Sequence, residues 1–307
     1  MVSDPITMKR EEKWQGIPLK SSRYPLLLKK ISHPPRVLYF KGEEAILKGT
    51  SVAIVGTRKA SGEGREFARQ IAHELAAAGL VIVSGLAQGI DGAAHQGALD
   101  AKGKTIGVLG SSLEDHFFFP QQHRRLAKEM LAGGGAILSE HEKNQPALRR
   151  NFVARNRIVA GLSVGTLVVE APMKSGALIT AGFAKKANRL VFAVPGSPFS
   201  KNFEGTNWLI KNGALLVQNA KDILDILKKR NLFKLQKNKK KKEEGGEVYS
   251  NEEENVREVL QEGPCHIDEL TKKTNVEVSR LLALLIELEM RGIIKHAGGG
   301  TYLLIRR

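Results

Sequence analysis

Short apolar runs recur along the middle of the chain, at 51–56, 80–84, 104–109, 136–139, 165–170, 190–194 and 213–217. Between them the apolar positions repeat at helical spacing, with helix starts near Gly62, Ile90, Pro120, Val153, Ser175 and Gly205. Near-continuous apolar runs are the mark of parallel strands buried on both faces. Strand–helix alternation at this spacing predicts an α/β fold, a doubly wound and mostly parallel sheet spanning 51–228. In such a sheet the ligand crevice lies beyond the C-terminal strand ends. Residues 1–50 are mixed and proline-marked; 36–42 reads as a short strand in a lead-in segment packed on the next domain.

Beyond the sheet the pattern changes twice. Residues 229–250 hold a run of lysines followed by Glu-Glu-Gly-Gly at 243–246, which opposes compact folding and predicts a basic flexible linker. Residues 251–307 resume helical periodicity at 252–261, 267–273 and 276–291. A Gly-Gly-Gly turn at 298–300 then separates two strand-like runs. Three helices and a hairpin predict a small winged-helix domain.

Charge sharpens this picture. The net charge of +16 points to a polyanionic partner. It divides into +12 over residues 1–227, nine cations and no acid in 228–242, −3 in 243–250 and −2 in 251–307. The main domain is therefore basic in its own right, and the C-terminal unit is not. One cysteine, Cys265, allows no intrachain disulfide and fits a reducing compartment. With no apolar leader and no apolar run of about 18 residues, a soluble cytoplasmic protein without membrane contact is expected.

The candidate chemistry sits where strands hand over to helices. Such junctions expose backbone N–H groups and the positive end of a helix dipole, which favour phosphate. The first is Gly56-Thr57-Arg58-Lys59, followed by Ser61, Gly62 and Gly64. Its glycines are displaced from the dinucleotide fingerprint, two cations intrude, and no acid ends the next strand, so no NAD is expected. Phosphate contact by Arg58 and backbone amides is the reading here. The second junction runs Ser84-Gly85-Leu86-Ala87-Gln88-Gly89-Ile90-Asp91, with Gly85 and Gly89 permitting close backbone approach. Asp91 reads as a helix cap, and His95, one turn on, as its structural partner.

Arg149, Arg150, Arg155 and Arg157 form the densest arginine group. They suit bidentate phosphate contact, or surface ion pairs with Glu140 and Glu142. In a helix from Val153, Arg157 shares a face with Gly161 while Asn156 points elsewhere. Lys174 precedes Ser175-Gly176 at another helix start. Phe117-Phe118-Phe119-Pro120 reads as core and turn rather than a base-stacking platform. The eight histidines are scattered, and neither a Cys–His cluster nor acids paired at ligand spacing are present, so neither metal nor cofactor is expected.

These blocks carry a resemblance. VAIVGTR (52–58), SGLAQGID (84–91), AAHQGAL (93–99), RNRIVAGLS (155–163), VVEAPMKSGALITA (168–181) and FAVPGS (192–197) match, in order and spacing, the bacterial DNA-processing protein A family, also called DprA or Smf. The chain resembles that family over roughly residues 20–225. The resemblance implies an extended Rossmann domain that binds single-stranded DNA more tightly than duplex and forms a homodimer. It also implies a role without catalysis, protecting incoming DNA and helping to load RecA in natural transformation and recombination. It assigns DNA contact to Arg58 after the first strand, to the 84–89 loop, to Arg155, Asn156 and Arg157, and to Lys174, Ser175 and Gly176. The chain departs from the family at Gln88, where many relatives carry Arg, and at 152–154, where Phe-Val-Ala replaces Phe-Pro-x. Some relatives carry an N-terminal helical domain, which is not expected ahead of residue 50 here. A second reading is a nucleotide phosphoribohydrolase of the lysine-decarboxylase-like type. Glu170 followed by Ser175-Gly176-Ala177 is similar to its catalytic arrangement, but the Pro-Gly-Gly-x-Gly-Thr run of those enzymes is missing.

Overall fold

The computed structural model describes residues 14–233, 251–274, 276–290 and 293–305. It divides into two units, Met1–Gln236 and Lys237–Arg307, each with its own core. The expected linker falls mostly on 234–250, outside the described residues.

In the first unit the strands are β1 (Gln15–Pro18), β2 (Val37–Gly42), β3 (Ser51–Val55), β4 (Val81–Ser84), β5 (Thr105–Val108), β6 (Ala136–Ser139), β7 (Gly165–Val168), β8 (Leu190–Ala193) and β9 (Leu215–Leu216). The helices are α1 (Leu26–Lys29), α2 (Gly62–Ala77), α3 (Ile90–Asp100), α4 (Arg124–Ala132), α5 (Arg149–Leu162), α6 (Gly176–Lys186), α7 (Glu204–Lys211) and α8 (Ala220–Lys229). All nine strands form one sheet in the order β1-β2-β6-β5-β4-β3-β7-β8-β9. From β6 to β9 every pairing is parallel.

The apolar runs are continuous because both faces are covered. Along β3, Ala53 and Val55 join one core with Leu28, Ile158 and Val159, while Val52 and Ile54 join the other with Ile71, Leu75 and Ile223. The period of two in β-strands sends alternate residues to opposite faces, so a strand with no polar side must be apolar throughout.

The lead-in segment is more than packed on the domain. β2 pairs antiparallel with β6, from Tyr39↔Ser139 to Gly42↔Ala136, and β1 pairs antiparallel with β2. The sheet thus extends through 15–42. Two helix starts also move. Residues after Pro120 make a short turn before α4 begins at Arg124, and α5 begins at Arg149, four residues ahead of Val153. Between β3 and β7 the chain order reverses across the sheet, because β4 lies on one side of β3 and β7 on the other. That is a topological switch point.

The second unit holds α9 (Asn251–Glu262), β10 (Cys265–His266), α10 (Ile267–Thr274), α11 (Val278–Met290), β11 (Ile294–Gly298) and β12 (Thr301–Leu304). β12 pairs with both β10 and β11. The hairpin turn needs its glycines: Gly298, Gly299 and Gly300 all have positive φ, a region that L side chains disfavour. Val256, Leu260, Leu270, Leu281, Leu285 and Ile294 close the core of this winged helix. Among the described residues no helix is long and apolar enough to cross a membrane.

Candidate nucleic-acid interface

The turn after β3 is held from two sides. Thr57 donates its amide to the Glu170 carbonyl at 2.7 Å and accepts from the Ile90 amide at 3.4 Å. Its hydroxyl accepts from the Lys59 amide at 3.2 Å. A Cβ on Gly56 would stand 2.4 Å from Ile90, so glycine lets this turn lie directly on α3. The result projects Arg58 and Lys59 outward, both exposed, with the Arg58 guanidinium 5.4 Å from the centre of the Phe152 ring.

The turn after β4 is tied inward. Ser84 is fully buried, and its hydroxyl donates to the Ile54 carbonyl at 2.6 Å. Asp91 does not cap α3. Its carboxylate reaches back to accept from the Gly85 and Ala87 amides at 3.1 and 3.3 Å, because Gly89 already opens the helix. Burial pushes the Asp91 carboxyl above its ordinary range, and the adjacent Arg155 and these amides oppose that shift. His95 pairs with Thr105, at 2.7 Å, rather than with Asp91.

Arg155 lies at the floor of the same site, almost fully buried, donating to the carbonyls of Gly85 and Val108. Burial pulls its guanidinium down to about 10, and Asp91 resists that pull. A Cβ on Gly85 would stand 2.8 Å from three atoms of that guanidinium, so the glycine makes room for an internal cation. Gly89 has φ +79° and would place a Cβ 2.4 Å from the Thr57 carbonyl.

The early start of α5 sets the third wall. Arg149, Phe152, Val153 and Asn156 follow helical spacing and line one face of a cavity of about 710 Å³ at the switch point. Asn156 points into the site, in a different direction from Arg157, and its amide donates to the Gly176 carbonyl at 3.2 Å. Ser175 caps α6 by accepting from the Ala177 amide at 3.2 Å. Phe119 is exposed and stands 5.5 Å from Phe152 between ring centres, so the Phe-Phe-Phe-Pro segment supplies an aromatic to the cavity as well as core.

The cavity thus gathers Gly56, Thr57, Arg58, Lys59, Gly85, Arg155, Asn156, Ser175 and Gly176. Ser84 and Gly89 support the turns from behind. Lys174 is exposed one residue before the α6 cap and does not line the cavity. Arg157 leaves it altogether and makes a double contact with Glu140, at 2.6 and 3.2 Å, in a half-buried pair. Phe152 and Val153 escape motif reading, and the signal that finds them is the helical period counted from Arg149; Phe119, on a separate segment, carries no such signal.

Arg58, Lys59 and Arg149 are exposed cations with no carboxylate partner among the described residues. The two acids nearby are committed elsewhere. Asp91 holds the second turn. Glu170 is fully buried, accepting from the Ser61 amide and hydroxyl and from the Asn202 amide at 3.0 Å. The site therefore presents net positive charge and aromatic faces to whatever enters.

Comparison with known proteins bears on this geometry. The family described as DNA recombination-mediator protein A matches residues 15–228, and the DprA winged helix domain matches 241–300. The chain is 39% identical over 298 residues to Protein Smf of Escherichia coli (strain K12), spanning 95% of this chain and 77% of that protein. It is 42% identical over 224 residues to DNA processing protein DprA of Bacillus subtilis (strain 168), spanning 73% and 74%. The X-ray structure of DNA processing protein A from Streptococcus pneumoniae superposes with a TM-score of 0.65 at 40% identity, covering 70% of this chain and 74% of that one. DNA processing protein A from Helicobacter pylori, whose structure concerns its single-stranded DNA binding mode, superposes with a TM-score of 0.64 at 32% identity, covering 73% and 99%.

Proposed function

We propose that this chain, which belongs to the DNA recombination-mediator protein A family, binds single-stranded DNA in the cavity at the switch point of its sheet. The observation that carries the reading is the presence of rim cations without a carboxylate partner among the described residues, Arg58, Lys59 and Arg149, beside the Phe119–Phe152 aromatic pair. Cations that track phosphates and rings that accept any base are what sequence-tolerant single-strand binding requires. A rigid duplex cannot splay its bases onto those rings, so duplex affinity is weaker.

The role is that of a mediator without catalysis, which protects the strand and helps to load RecA in the cytoplasm during recombination and natural transformation. The RecA and transformation parts rest on family membership. A homodimer belongs to the same reading, and exposed Leu216 on the edge strand β9 is an apolar side chain open to a second copy. The sealed environment of Glu170 supports a non-catalytic role, because a hydrolase needs that carboxylate open to a nucleotide.

Titration of the full chain with single- and double-stranded oligonucleotides across a salt series tests the proposal. Preference for the single strand, with affinity falling steeply as salt rises, is the expected result. Equal affinity for both, or release of adenine from AMP that vanishes in Glu170→Gln, overturns it.

A further inference from the structure

Phe199 is 96% exposed, although the loop that carries it is fixed in place. The loop follows β8 and therefore lies at the same C-terminal strand edge as the cavity. Asn207 holds Gly196 from both sides, accepting from its amide at 3.3 Å and donating to its carbonyl at 2.9 Å. Ser197 accepts from the Phe199 and Ser200 amides, through its hydroxyl at 3.3 Å and its carbonyl at 3.1 Å. Phe203 packs so closely on Gly196 that a Cβ there would stand 2.1 Å from its ring. Asn202 then spans to the cavity rim. Its carbonyl accepts from the Ala171 amide at 2.7 Å, and its side chain donates to Glu170 and to the Lys59 carbonyl, at 3.0 and 3.4 Å.

A large ring held in water by an ordered loop is at odds with simple burial of apolar surface. Its surroundings narrow what it meets. Ser200 and exposed Pro198 adjoin it, exposed Lys201 follows, and the backbone of exposed Lys59 is tied to the same loop through Asn202. A protein-docking surface is a contiguous apolar patch. A single ring among cations is instead the pattern of a base-stacking position, where the ring takes the base and the lysines take the phosphates.

We propose that Phe199 is a second stacking platform, which receives nucleotides of a single strand as they leave the cavity past Lys59. Phe119 and Phe152 would hold one stretch of the strand and Phe199 the next, with Arg58, Lys59 and Lys201 following the backbone between them. This inference rests on the reading of the cavity as a single-strand site.

The test compares the full-length protein with Phe199→Ala, Phe199→Trp and Arg58→Ala, using fluorescently labelled oligothymidylates of increasing length at fixed salt. Phe199→Ala should weaken the longer oligonucleotides about tenfold, within the range for losing one base–aromatic stack. The shortest that bind should be unaffected, and the salt slope unchanged. Phe199→Trp should restore affinity and show indole quenching on binding. If Arg58→Ala weakens binding while Phe199→Ala changes nothing at any length, the second platform is overturned and the cavity reading stands. If Arg58→Ala also has no effect, the cavity reading fails and this inference with it. A smaller mass for Phe199→Ala by light scattering, without DNA, would assign the ring to a contact between copies and overturn the proposal.

Discussion

Thr105 donates its hydroxyl proton to the Ile82 carbonyl at 2.8 Å, so toward His95 it accepts, and the His95 proton sits on Nδ1. Nε2 is left buried without a partner. Burial first, then the nearby charges of His123 and Arg155, lowers this imidazole to about 3. The folded state therefore keeps His95 neutral, while the unfolded chain takes up a proton below the ordinary value of 6.5. Stability should be whole above that value and fall as pH drops toward 3; urea midpoints for the wild type and His95→Leu, taken at about pH 7.5 and about pH 5, should show the smaller fall in the variant. The arginines divide by what each already touches. Arg58→Ala should weaken single-strand binding and lower the salt slope by about one contact, whereas Arg157→Ala, losing only its Glu140 pair, should leave the slope unchanged. Arg155→Ala would take the charged donor from the buried Gly85 and Val108 carbonyls and should cost about 2–3 kcal/mol in urea unfolding.

At the scale of elements, Gly64 shows what the first glycine turn is built for. A Cβ there would stand 2.4 Å from the Glu170 carboxyl carbon, so the glycine admits a buried acid rather than a phosphate. Gly64→Ala should displace that carboxylate from Ser61 and lower stability by about 2–3 kcal/mol, measured by chemical denaturation. The parallel strands were legible because both-face burial leaves an unbroken apolar run. β1 was not, since in Gln15–Pro18 only Ile17 is buried and one residue carries no period. The true start of α5 was hidden for a related reason. Arg149, Asn151 and Phe152 read as polar or isolated until Phe152 is seen to face the cavity, and so the motif drew the boundary at the apolar residues after it. Motifs gave the cations but not their directions. Arg155, Asn156 and Arg157 are neighbours in sequence, yet one goes to the floor, one to the wall and one to Glu140.

For the whole molecule, charge separates the units: the basic excess lies ahead of residue 242, and 251–307 carries −2. On α11, Arg280 is paired with Glu252 at 2.9 Å, while Val278, Leu282 and Ile286 face outward. A helix that reads duplex DNA presents cations to the groove. A form ending at Ser250 should therefore bind single-stranded DNA within a few-fold of full length, and an isolated 251–307 fragment should bind far more weakly; anisotropy at physiological salt compares them. The sheet has a further consequence in time. β2 is made early yet pairs with β6, about 100 residues later in the chain. A ribosome adding about 5–20 residues per second takes about 5–20 s to cover that distance. During that interval the edge of β2 that β6 will occupy has no native partner, so strands among the first to be synthesised must wait, while β3, β4 and β5 are made, before they join the sheet.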